Sequence, residues 1–404
     1  MGWVHPGVLR QLREQAGLTI QQTAWQSRGL RGYAPIEQEA LEQWEMGSGQ
    51  PDLEHLESLS EIYHCPVGHF FLDQMPQPGV PIAFRGLSPG KEQSFGANTR
   101  ASLRRFVALA EWFADLLESS GIDWKVSLAP LHRHEHDLEG LCIAKLRELG
   151  FDSSVRATWE DPEDAFWWWR SRIEHQGVFC FQLPLDPSDA RAACLWMKGR
   201  YPFLLVNHQD AEAASGRLFS LLHEYGHLLL HGRRGVACDF AGRSGGRHQE
   251  TLANRFAARI LLPPAELRQY LEKCGQSEPK QTWADKHLST LAKQFAVSRH
   301  VVAITLEQIG LAPKGFYQRK RDQWEKKFSG WKPWGRGRNL KKWERKAREL
   351  GTSALRVLVT LDQCGKMPAI DTAYVLETKV EKTPELLRYF SAYLASIGRG
   401  HEPD

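Results

Sequence analysis

Residues 218–230 read Leu-Phe-Ser-Leu-Leu-His-Glu-Tyr-Gly-His-Leu-Leu-Leu, an apolar run with His223, Glu224 and His227 at its centre. A stretch this apolar has to be buried, and buried polar side chains need partners. His223 and His227 are four apart, so a helix places both imidazoles on one face, about 6 Å apart along the axis. Two imidazoles so placed can grip one Zn²⁺, and the glutamate between them can reach a water that the ion activates. As plain core histidines they would leave Glu224 a buried charge with no evident partner. Tyr225 lies about 200° round the helix from His223 and reads as core.

A catalytic zinc needs a third protein ligand and one open position. The nearby candidates are His231, Asp239, His248 and Glu250. His231 is about 12 Å along the same helix from His223, so it cannot share that ion unless the helix ends first. It reads as an outer support or a helix-end histidine. The position ten after His223 is Arg233, which excludes the metzincin pattern. His248 and Glu250 are two apart on a helix, so at most one can be a ligand. Glu250 opens a helix, about 249–262, whose Ala253, Phe256 and Ala257 suit close packing against the motif helix. The seven cysteines are scattered, odd in number and never spaced Cys-x-x-Cys. That pattern fits a reducing compartment and argues against a cysteine-built zinc site.

His-Glu-Tyr-Gly-His-Leu-Leu-Leu-His, followed by Glu-Thr-Leu-Ala-Asn-Arg-Phe-Ala-Ala-Arg-Ile-Leu-Leu-Pro, resembles the ImmA/IrrE family of metallopeptidases over about residues 140–312. The resemblance implies that Glu250, three before the Ala-Asn pair, is the third ligand beside His223 and His227. It also implies Glu224 as the proton shuttle and a repressor or antitoxin-like regulator as the protein substrate. Leu41-Glu-Gln-Trp-Glu-Met-Gly-Ser-Gly-Gln-Pro51 and the closing Val-Gly-His-Phe-Phe resemble the phage-repressor (Xre-like) helix-turn-helix domain, a common companion of such peptidases. Val80–Arg85 is similar to the linker of such fusions.

Charge argues against DNA reading by that N-terminal domain. Residues 1–75 hold four arginines against ten acids, and the presumptive recognition helix carries Glu37, Glu39, Glu42 and Glu45. Phosphate affinity rests on Lys and Arg, so such a helix is repelled from a groove. The span from Ala24 to Trp44 is also longer than the usual turn and recognition helix. Residues 284–310 form a second helix-turn-helix-like unit, with Lys293 and Arg299 as its candidate DNA contacts. Lys314–Arg348 holds fourteen basic residues against three acidic ones, with Trp324, Trp331, Trp334 and Trp343 interleaved. Such a strip is compatible with nucleic acid, and equally with a solvated helix whose tryptophans pack inward.

The expected fold is α+β and mostly α. It comprises a five-helix repressor-like domain (1–76), a linker (Gln74–Gly90 is rich in Pro and Gly) with an amphipathic helix (77–137), and a zincin-like core with a small antiparallel or mixed sheet (138–282). A support unit (283–318) and a basic, then helical, C-terminal region (319–404) follow. Strands are expected at Val178–Phe181 and in a hairpin of Ala193–Met197 with Pro202–Val206 through Gly199; Trp196 and its neighbours offer an edge to an extended substrate. No apolar run reaches the roughly 20 residues of a membrane span, and no signal core opens the chain, so a cytoplasmic protein is expected. The expected activity is that of a zinc endopeptidase that cleaves or inactivates one regulator. The competing class is a transcription regulator, or partner-binding protein, whose metal domain senses without cutting. Mn²⁺ or Fe²⁺ would suit the same ligands.

Overall fold

The computed structural model describes residues 4–16, 18–30, 33–63, 70–71, 95–128, 138–186, 189–208, 213–231, 246–295, 297–327, 341–367 and 369–398. The Pro/Gly-rich linker, most of the closing Val67–Phe71 element, the glycine-rich loop with Asp239, and Trp331 and Trp334 lie outside the described residues. The protein is α+β and mostly helical, as its periodicity predicts, and it divides into two compact units at Ala108/Leu109.

The first unit contains α1 (Pro6–Ala16), α2 (Ile20–Ser27), α3 (Gln38–Met46) and α4 (Leu53–Tyr63), and the start of α5 (Ala97–Ser120). Thr19 caps α2 in a capping box with Gln22, satisfying helix N–H groups that would otherwise lack acceptors. Leu9, Leu12, Ile36, Leu41, Leu56, Leu59 and Phe70 meet in one apolar core. Glu45 turns into that core and pairs with Arg13 at 2.6 Å.

The second unit holds the rest of α5, then α6 (Leu138–Glu148), α7 (Ser153–Ala157), α8 (Pro162–His175), β1 (Phe179–Leu183), β2 (Ala192–Met197) and β3 (Tyr201–Asn207). After these come α9 (Ala213–His231), α10 (Gly246–Leu261), α11 (Pro264–Lys273), α12 (Asp285–Gln294), α13 (Arg299–Gln308) and α14 (Phe316–Lys327). The chain closes with α15 (Lys342–Gln363), α16 (Ala369–Val375) and α17 (Thr383–Gly398).

The sheet is mixed, in the order β1-β3-β2. β2 runs antiparallel to β3, with Cys194 opposite Leu204, and β1 runs parallel to it. Every strand residue is buried, because helices cover both faces and neither side of the pleat needs polar residues. One face stacks Phe179 and Phe203 (4.7 Å between ring centroids) against Phe113 of α5. The other sends Cys180, Cys194, Trp196, Leu204 and Val206 into the core shared with Leu218, Leu221 and Leu222 of α9. The β2–β3 turn uses left-handed backbone at Lys198 (φ 51°) and Gly199 (φ 62°). The Lys198 ammonium holds that turn to α5 through Asp115 (2.7 Å) and Glu118.

A buried ion pair fastens the C-terminal helices to this core. Arg170, 1% exposed, bonds Glu174 at 3.1 Å, Gln182 at 3.0 Å and the Arg348 carbonyl at 2.7 Å. Glu174 in turn accepts from the Thr352 amide (3.1 Å) and hydroxyl (2.6 Å). The cluster fits only because α15 breaks at Gly351 (φ 77°, ψ 168°), where a Cβ would lie 2.0 Å from Glu174 Oε1.

Candidate metal centre

α9 is the helix that the apolar run predicts, and it presents His223 and His227 one turn apart on one face. α10 crosses against it, and Glu250 comes from the first turns of that helix. Close crossing needs small residues at the contact. Ala253 and Ala257 are fully buried, and a Cβ on Gly226 would lie 2.9 Å from Cδ1 of Phe256. The glycine inside His-Glu-Tyr-Gly-His is therefore a packing residue. Arg156 of α7 fixes the far end of α10: its guanidinium donates to the Leu261 carbonyl (2.9 Å) and the Phe295 carbonyl (2.6 Å). These are helix C-terminal carbonyls with no partner of their own in the helix.

The three donors converge. His227 Nε2 lies 3.0 Å from His223 Nε2 and 2.9 Å from Glu250 Oε1, and His223 Nε2 lies 3.3 Å from Glu250 Oε2. All three ligand atoms fall within 4.8 Å of one another, the grouping that could hold a metal ion. Burial works against the Glu250 carboxylate, yet hydrogen bonds from both histidines bring it down to about 2. Burial also opposes the His223 imidazolium, but Glu250 and Glu224 outweigh it and raise that group. Two nitrogen donors and one hard oxygen donor are the set that a borderline divalent ion takes. A buried polar atom supports the fit: Glu224 Oε2 has no hydrogen-bond partner among the described residues.

Glu224 is 7% exposed, and burial raises its pKa above the ordinary carboxylate value against the pull of His227, His223 and a hydrogen bond with Cys194. Cys194 lies on β2, the outer strand of the sheet among the described residues. Neither this thiol nor Asn254 figures among the residues that the sequence singles out for chemistry. Asn254 follows Glu250 by one helical turn, and its side chain hydrogen-bonds His223. The i, i+4 spacing was the available signal for Asn254. Cys194 could be found only by knowing which strand face meets α9.

The remaining sequence candidates scatter. Trp196 is 7% exposed and packs in the core, so its side chain offers no substrate surface; only the β2 main chain can. Its indole N–H has no partner among the described residues. His231 is the last residue of α9, and its side chain, like that of His248, lies outside the described residues. Tyr225 is fully buried on the far side of α9, where its hydroxyl donates to Gln176. Lys293 is exposed at the end of α12, while Arg299 lies over the Trp324 ring at 5.0 Å. α13 buries Val301 through Leu306 without a break, packed by α10, α12 and α14. Its middle turns therefore offer no exposed side chain.

Two histidines, a carboxylate and a buried acid on paired helices define a metallopeptidase-like domain. Residues 173–307, from the last turn of α8 through most of α13, match the peptidase family described as the IrrE N-terminal-like domain. The match is narrower than the 140–312 that the motifs suggest. It does not reach the N-terminal unit. No curated protein and no solved structure matches the chain. Among the described residues no helix is long and apolar enough to cross a membrane.

Proposed function

We propose that the chain is an intracellular zinc endopeptidase that cleaves a specific regulator, a repressor or antitoxin-like protein. The observation that carries this reading is the convergence of His223, His227 and Glu250 beside Glu224, whose buried carboxylate has one oxygen with no partner among the described residues. His223, His227 and Glu250 would hold the ion. When bound, it supplies a Lewis acid that polarises the scissile carbonyl and makes water a usable nucleophile near neutral pH.

The chain's own groups do the rest. Glu224 takes the proton of the attacking water and returns it to the leaving amine, and burial brings its proton affinity toward what a base working near neutrality needs. Cys194 donates its thiol hydrogen to that carboxylate and orients it. β2 is the outer strand among the described strands, so an extended substrate segment can add to the sheet there. A narrow target range follows from the need to pair with one edge strand next to one site.

Glu224→Gln in the full-length protein tests this. The variant should keep its metal by elemental analysis and lose cleavage of the co-expressed regulator by about 10²-fold or more. Retained biological function with intact metal and a silent Glu224 would support instead a domain that binds its partner without cutting it.

A further inference from the structure

Along α9 the apolar run is almost wholly buried. Leu218, Leu221, Leu222, Tyr225, Leu228 and Leu229 are covered, whereas Phe219 and Leu230 stay partly open. Eleven residues make about three helical turns, so these two fall on one stripe, and that stripe carries His223 and His227. Phe219 stands one turn before the first histidine, and Leu230 follows the second.

The two ends of the stripe differ. The His227 side chain is 2% exposed, against 14% for His223 and 29% for Glu250. The centre is thus shut at His227 and opens on the side of His223 and Glu250, with Phe219 at its mouth. The Phe219 ring lies 6.2 Å from the His223 ring, with 31° between the planes. It packs in part against the core of the second unit, which anchors it, and the remainder is open among the described residues. Apolar surface beside a few convergent polar groups is what a ligand site offers. An extended chain rises about 3.3 Å per residue, so a ring this close to a ligand meets the side chain of a residue adjoining the bond held at the centre.

We propose that Phe219 forms a wall of the subsite for a substrate side chain adjoining the scissile bond, and that it selects a large apolar residue, such as leucine, at that position. Covering the open ring removes apolar surface of both partners from water. Glycine there would leave the ring wet, and a carboxylate would lose its hydration against the ring without gaining a partner. The inference rests on the peptidase reading above and adds its substrate class: an extended segment with a large apolar side chain at the cut.

The test measures binding, not turnover, in the zinc-loaded full-length protein. Three succinyl hydroxamates, alike except for an isobutyl, an aminobutyl or no side chain on the carbon next to the carboxamide, are titrated by calorimetry. The hydroxamate end seeks the metal, and the side chain probes the subsite. The isobutyl compound should bind about tenfold or more tighter than the unsubstituted one, and tighter than the aminobutyl one. Phe219→Ala should bring the isobutyl-to-unsubstituted ratio down to about twofold, and Phe219→Leu, still apolar, should keep most of it. Leu230→Ala, at the shut end, should leave the ratio within about twofold of the wild type. Zinc content by elemental analysis should be unchanged in every variant. Wild type that binds the unsubstituted compound and gains nothing from isobutyl would overturn the subsite alone, whether or not any variant folds. So would a ratio that survives Phe219→Ala, or aminobutyl binding as tight as isobutyl, since the ring would then be taking a cation. Binding of none of the three compounds would overturn the reading of the metal centre itself, and this inference with it.

Discussion

At the scale of single residues, Gly226 sets the position of the ligands without being a ligand. Gly226→Val would drive a methyl group into Phe256. It should cost about 1–3 kcal/mol of stability in a thermal or urea melt, with a parallel loss of metal affinity as α10 is pushed from α9. The metal-free protein should also show a defined pH response. Glu250 titrates at about 2 when folded against an ordinary 4.5, so its contribution is complete above 4.5 and fades as pH falls toward 2. His223 is raised above 6.5, so its contribution is complete below that value and is lost as pH rises through the raised one. Chelator-treated protein should therefore melt highest between those limits, and loss of stability from pH 4 downward that Glu250→Gln does not remove would contradict the assignment.

At the scale of elements, the site is two helices and a strand. Period and caps announced α9, α10 and the β2–β3 hairpin within a few residues of their observed ends. Helix periodicity did not reveal what α13 would do. The 284–310 unit, with Lys293 on α12 and Arg299 on α13, reads as helix-turn-helix-like, and six consecutive residues of α13 from Val301 to Leu306 are buried. A helix is wrapped on all sides only when three other elements pack on it, and no local pattern counts its neighbours. Glu45 is the same case in reverse: it reads as one more surface acid on α3, but Arg13 draws it inside. Arg156 should matter more than its surface-like sequence context suggests. Arg156→Met leaves two helix-end carbonyls without a donor. It should lower stability by about 1–3 kcal/mol, measured by denaturant midpoint.

At the scale of the molecule, the C-terminal helices are part of the second unit's core. The Arg170–Glu174 pair ties α8 and β1 to α15, and α15 packs along β1. Breaking a fully buried pair from one side strands the other charge. Arg170→Met should therefore cost about 3–5 kcal/mol, read as a large fall in melting temperature, whereas a double change of Arg170→Met with Glu174→Leu should recover part of it. Ending the chain before α15 would uncover β1 and should give insoluble or metal-poor protein, a result opposite to that expected of a detachable tail.

The chemistry was local and so was written in the sequence: His223, Glu224 and His227 share one helical turn, and a helix needs no outside help to put i and i+4 side by side. A mostly helical α+β fold followed from periodicities of the same short range. The resemblance to known metallopeptidases singled out Glu250, but its distance to the histidines is a property of two crossing helices. That crossing is fixed by Gly226, Ala253, Phe256 and Ala257 together with Arg156. Cys194 against Glu224, the covered α13 and the break at Gly351 around Glu174 all join residues far apart in the chain. Such contacts depend on how packed surfaces fit in three dimensions, and sequence spacing carries no record of that fit.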